Sequence, residues 1–140
     1  MLNITKETKV IVPRKDLQKI INQANRLYPG LKRQEINLIF ISASKIQQLN
    51  KKYRKKDQPT DVLSFNYDEK TLLGEIFICP QIAQKQAKII GHSLRKEIIL
   101  LFAHGLLHIC HLDHKNSTEE KVFNKKLANL LKPQQISQSS

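Results

Sequence analysis

This chain has no tryptophan, two cysteines, four glycines and few acidic residues, and each shortage excludes something. Two thiols, Cys79 and Cys110, are too few to staple 140 residues together, so the fold must rest on an apolar core with both thiols reduced and mostly buried. No run approaches the roughly 18 apolar residues that cross a bilayer, which excludes a membrane-spanning helix. The opening MLNITKETKVIV also lacks the basic segment and apolar stretch of a secretory signal. A cytoplasmic protein with no membrane partner is expected. With 12 Asp plus Glu against 24 Lys plus Arg, the net charge is +12, which favours a polyanionic partner such as RNA.

The length suits one domain, expected over residues 1–132, followed by a polar, disordered tail at residues 133–140. Leu17, Ile20, Ile21, Ala24, Leu27 and Tyr28 recur at helical spacing between Pro13 and the Pro29-Gly30 stop. EINLIFIS, residues 35–42, reads as a strand, and Ser44-x-x-Gln47 as the capping box of a short helix reaching about Tyr53. Residues 61–67 and 74–79 read as an antiparallel hairpin. Pro80 suits the first turn of a helix ending near Ile90, and Gly91 with Ser93 separates it from a long apolar helix. A last helix opens on the capping box Ser117-x-x-Glu120, buries Val122, Phe123, Leu127, Leu130 and Leu131, and is expected to stop at Pro133.

What the chain does have is histidine in one place. HGLLHICHLDH, residues 104–114, holds four of its five histidines at the end of the apolar helix. Buried imidazoles need hydrogen bonds or a metal, and several together need a shared explanation. His104 and His108, four apart, share one helix face and can both turn a ring nitrogen to one ion. A third ligand comes from His111 if the helix runs on unbroken, or from His114 if the chain bends. Zinc is the default ion for neutral imidazoles, and three protein ligands leave a fourth position open, as in catalytic sites. Against the zinc-protease pattern H-E-x-x-H-x-x-G-x-x-H, Gly105 replaces the glutamate that serves as base and His111 replaces the glycine. Peptide hydrolysis by the usual route is therefore disfavoured, because Gly105 cannot take a proton.

Upstream lies a basic run, LNKKYRKKDQPTDVLSF at residues 49–65, followed by LGEIFI at residues 73–78. A guanidinium such as that of Arg54 can grip a phosphate through two hydrogen bonds and stabilise charge developing on it. Lys51, Lys52, Lys55 and Lys56 would attract an RNA backbone as a group, though each alone reads equally well as a solvated charge. Asp57, Thr60, Asp61 and Ser64 suit turns and caps as well as chemistry. Asp113 and Glu75 are candidates to orient a ligand from behind it.

Taken in order, these three segments closely resemble the YbeY family of bacterial ribosomal RNA maturation factors and metal-dependent endoribonucleases. The resemblance spans the domain and departs at His111 and Leu112, where the family usually has Gly and Tyr. It implies an α+β fold, with a small mixed four-stranded sheet packed by about five helices in a metzincin-like arrangement. It also implies one zinc ion per chain on His104, His108 and His114, with His114 and Arg54 important for catalysis. The expected activity is hydrolysis of single-stranded RNA in ribosomal RNA maturation and ribosome quality control, with the ribosome or a ribosomal protein as partner by analogy. Two rivals use the same residues: a non-catalytic RNA- or ribosome-binding factor with a structural zinc, and, less favoured, a metalloprotease.

Overall fold

The computed structural model describes residues 1–67, 69–110 and 117–139. Four strands, β1 (Leu2–Lys6), β2 (Glu35–Phe40), β3 (Val62–Asn66) and β4 (Leu72–Ile78), form one sheet in the order β1-β2-β4-β3. Strand β1 runs parallel to β2 and β2 parallel to β4, while β3 turns back antiparallel on β4. The sheet is therefore mixed, with β1 and β3 at its two edges. Five helices surround it: α1 (Arg14–Leu27), α2 (Ala43–Arg54), α3 (Pro80–Ile90), α4 (Leu94–Ile109) and α5 (Ser117–Ser139). No helix among the described residues is long and apolar enough to cross a membrane.

The alternation of side chains along the strands divides the apolar residues between two cores. Ile36, Leu38 and Phe40 of β2, with Ile76 and Ile78 of β4, face α1, α4 and α5 and pack on Leu17, Ile20, Phe102, Leu106 and Phe123. Ile39, Ile41, Leu63 and Cys79 point the other way and are covered by Ile46 of α2. Helix α4 is the central piece of the larger core: Ile98, Phe102, Ala103 and Leu107 are fully buried. Asp16 of α1 and Arg95 of α4 add an ion pair of 2.5 Å between those helices.

Several boundaries agree with the sequence reading, notably α3, which starts at Pro80 and ends at Gly91 with φ 92°. Others differ for physical reasons. Strand β1, whose only apolar residues are Leu2 and Ile4, is too short to show a pattern and exists because β2 offers it a parallel partner. Helix α2 is capped by Ser42, whose hydroxyl accepts from the Lys45 N–H, and not by Ser44. The expected box partner Gln47 instead donates from Nε2 to Asp57 Oδ1 at 3.0 Å. Leu27 and Val122 lie at the margins of their apolar faces and are exposed. The capping box at Ser117 and Glu120 falls outside the described side chains.

Helix α5 continues past Pro133, where the sequence predicts a stop, through residues 133–139 of the expected tail. A proline within a helix leaves the carbonyl four residues earlier without its N–H partner. Here that carbonyl, of Asn129, accepts from Gln23 Nε2 of α1 at 3.2 Å. Gln23→Ala is expected to cost about 1 kcal/mol, typical of one hydrogen bond. Hydrogen exchange should quicken after Asn129 and stay unchanged in α4.

Candidate functional site

His104 and His108 stand on the partly exposed side of α4, one turn apart, with ring centroids separated by 4.7 Å. Phe123 of α5 packs against both rings, at 4.9 Å and 5.2 Å, and so limits their rotation from one side. Their other side opens on a cleft of about 560 Å³ between α4 and the β3 edge of the sheet. Its wall is residues 60–66 of the β3 segment, its floor Gly105 and Ile109 of α4, and Arg54 reaches it from the end of α2. The fold thus joins two sequence motifs separated by fifty residues.

Gly105 explains how α4 comes so near the edge strand. A Cβ there would lie 2.8 Å from Ser64 Oγ and 3.1 Å from Ile76 Cγ2, so any side chain must displace the Ser64 hydroxyl and crowd Ile76. The glutamate of the protease pattern is disfavoured by packing as well as missing from the sequence. Gly105→Glu, which restores the pattern's glutamate, is expected to lower stability by about 2–4 kcal/mol through overpacking and burial of a carboxylate. Urea denaturation measures the loss, and no peptide hydrolysis should appear.

Arg54 is exposed and makes no ion pair among the described residues, so its guanidinium is available to an anion. The loop after it is held by buried Asn50, whose Nδ2 donates to Gln58 O at 2.9 Å, and by Lys55 in the left-handed region at φ 58°. Lys51, Lys52, Lys55 and Lys56 are exposed around this turn but, among the described residues, do not line the cleft. Lys51 lies 3.9 Å from Asp57, a solvent-exposed pair worth little. The lysines therefore provide positive field outside the cleft, and Arg54 places a guanidinium at its lining.

Thr60, Asp61 and Ser64 all line the cleft. Asp61 Oδ1 accepts from the Val62 N–H at 2.8 Å and from Thr60 Oγ1 at 3.2 Å, the turn-forming role its residue type suggested. Glu75 faces away from the histidines and accepts from the Tyr67 hydroxyl at 2.7 Å, which helps push that phenol up to about 12. Cys110, half-buried at the end of α4, is pushed up to about 11 by desolvation, which disfavours its thiolate. Among the described residues no third His, Cys, Asp or Glu completes a metal-binding group with His104 and His108. His111, Asp113 and His114 lie outside the described residues.

The basic segment and the His104–His108 pair meet at one cleft, and the family model described as Endoribonuclease YbeY matches residues 3–135. The chain belongs to the YbeY family. It is 32% identical to Endoribonuclease YbeY of Mycoplasmopsis synoviae over 99% of this chain and 96% of that one. It is 35% identical to Endoribonuclease YbeY of a Geobacillus species over 91% of this chain and 87% of the relative. The solution structure of a Thermotoga maritima protein aligns with a TM-score of 0.63 at 26% identity, covering 98% of this chain and 93% of that one.

Two groups in this YbeY-family chain support the cleft without having been legible as motifs. Asn66 Nδ2 donates to the carbonyl of Ile109, tying the end of α4 to the end of β3. Behind Asp61, the Gln86 amide nitrogen, turned toward two carboxylates, donates to Asp61 Oδ2 at 2.8 Å and to Glu97 Oε2 at 3.1 Å. Glu97, 4% exposed, meets His92 Nε2 at 2.6 Å through its other oxygen. The buried carboxylate so gains partners on both oxygens, as its desolvation demands. The only hint in the sequence was a lone glutamate entering an apolar helix.

Proposed function

We propose that this protein is a zinc-dependent endoribonuclease that cleaves single-stranded RNA in ribosomal RNA maturation and ribosome quality control. In this reading it works in the cytoplasm beside the ribosome or a ribosomal protein. The observation that carries it is the placement of Arg54 in the same cleft as His104 and His108, in a chain whose relatives are named endoribonucleases. The donor set fits zinc: two imidazoles one turn apart on a single helix face, opening on a cleft. His114 would be the third ligand, the arrangement that suggests likeness to metzincin proteases. Zinc supplies Lewis acidity, polarising a phosphoryl oxygen and lowering the pKa of water.

The chain's own residues do the rest. Arg54 grips a non-bridging phosphate oxygen pair and offsets the negative charge that grows there during in-line displacement. The exposed lysines draw the backbone toward the cleft, with an affinity that falls steeply as salt rises. Phe123 and the close approach at Gly105 hold the two imidazoles at a fixed distance from the edge strand.

The test is incubation of metal-quantified protein with single-stranded RNA, duplex RNA and a peptide library, using wild type, Arg54→Ala, His114→Ala and chelator-treated samples. Metal-dependent cutting of single-stranded RNA by wild type alone is the expected result. Equal cleavage in all four samples would identify a contaminating nuclease and overturn the reading. Metal-dependent peptide cleavage would overturn it in favour of a protease.

A further inference from the structure

Aromatic side chains are scarce in this protein, yet one of them stands exposed beside the cleft. Tyr53 immediately precedes Arg54 and is 56% exposed. It is not loose: its ring meets Phe65 at 5.2 Å and 67°, and Phe65 meets Phe77 at 5.8 Å and 79°, an edge-to-face series. Phe65 itself lines the cleft, so Tyr53 is fixed to the wall of the cavity that holds Arg54, His104 and His108. Tyr67, 43% exposed, is anchored through its hydroxyl to Glu75.

The ring also attracts cations, with Lys52 Nζ 5.1 Å from its centroid. Lys52 is an exposed, flexible side chain, and a flat apolar group arriving on the tyrosine can displace it. A rigid, solvent-facing ring next to a phosphate-binding arginine and a displaceable lysine is how proteins hold single-stranded nucleic acid. Bases stack on the ring while cations follow the backbone.

We propose that Tyr53 is a stacking platform for one unpaired RNA base, which fixes the register of the strand so that a neighbouring phosphate lies against Arg54. The proposal rests on the reading of the cleft as a site for single-stranded RNA, and it assigns the base contact that this reading lacks. Duplex RNA is rejected at the platform because its bases are already stacked and turned inward. The subsite is tolerant of sequence, since every base has a face to stack.

The experiment measures binding of a short, labelled 2′-O-methyl RNA to the full metal-loaded protein by fluorescence anisotropy, with a single abasic residue walked along the strand. In wild type, one abasic position should weaken binding about tenfold, as expected for loss of a stacked base. Tyr53→Leu still covers Phe65 but has no ring. It should bind intact RNA about tenfold more weakly and no longer sense the abasic residue, whereas Tyr53→Phe should behave as wild type. Wild type indifferent to every abasic position, or Tyr53→Leu as tight and as sensitive as wild type, overturns the platform. If wild type binds no RNA at all, the functional reading fails and the platform falls with it. If Tyr53→Leu does not fold, 5-iodouridine at the position the abasic walk picks out should photocrosslink wild type at Tyr53, and crosslinking only elsewhere overturns the platform.

Discussion

His108→Ala protein is expected to fold, to retain no stoichiometric zinc, and to cleave single-stranded RNA more slowly than wild type by a factor on the order of 10³. The expected loss exceeds the roughly 10–100-fold cost of removing a group that merely orients a ligand, because on the proposed reading a ligand itself is removed. Among the described residues no other His, Cys, Asp or Glu joins His104 to form a three-ligand group. The alanine also opens space beside Phe123, whose ring lies 5.2 Å from that of His108, and some thermal stability will be lost. His108→Gln fills that space and separates the two effects. It should regain most of the stability and none of the activity. Zinc content by elemental analysis and cleavage rate under single-turnover conditions, measured on the same samples, check both statements.

Arg54→Ala is expected to lower kcat about 100-fold, the scale of losing one preorganised group that stabilises transition-state charge. Its melting temperature should match wild type, because Arg54 is exposed and makes no ion pair among the described residues. Zinc content should also be unchanged, which distinguishes it from His108→Ala. Arg54→Lys is the sharper variant. It keeps the charge but loses the planar pair of donors, so it should recover KM nearly fully and kcat only in part. Complete recovery by lysine would reduce Arg54 to one more member of the basic run.

How much of this was readable in the residues depends on whether the signal was local. Helix α3 lies between Pro80 and Gly91, and a start residue and a stop residue act within one turn of themselves. The parallel strand β2 carries Ile36, Leu38 and Phe40 on one face with Ile39 on the other, and reads as a strand from EINLIF alone. Strand β1 has no such signal, since its two apolar residues make a strand only once β2 lies beside them. Ser42 and Ser44 are equally good caps on paper, and the choice fell to Ser42 because β2 ends at Phe40 and the chain must turn there. Proline at 133 breaks a helix unless its orphaned carbonyl finds a donor, and Gln23, more than one hundred residues away, supplies it.

The site divides in the same way. The i, i+4 histidine pair was legible because a helix fixes the distance between its own residues. Arg54 stood out only as one cation among several; the fold selects it by turning α2 so that this residue alone of the five basic ones lines the cleft. The role of Gly105 was half legible. Its missing carboxylate could be read from the sequence, but its contact with Ser64 required the sheet to be in place. The pairing of Glu97 with Gln86 and His92 depends on three elements meeting, and no spacing announces it.

The most direct test of the account is a metal titration of chelated protein, with RNA cleavage followed at each addition. Activity should rise in proportion to zinc bound and reach its plateau at one ion per chain, with no cleavage at zero metal and no rise in His108→Ala. Cleavage of single-stranded RNA at full rate by metal-free wild-type protein, or equal cleavage by His108→Ala, would contradict it.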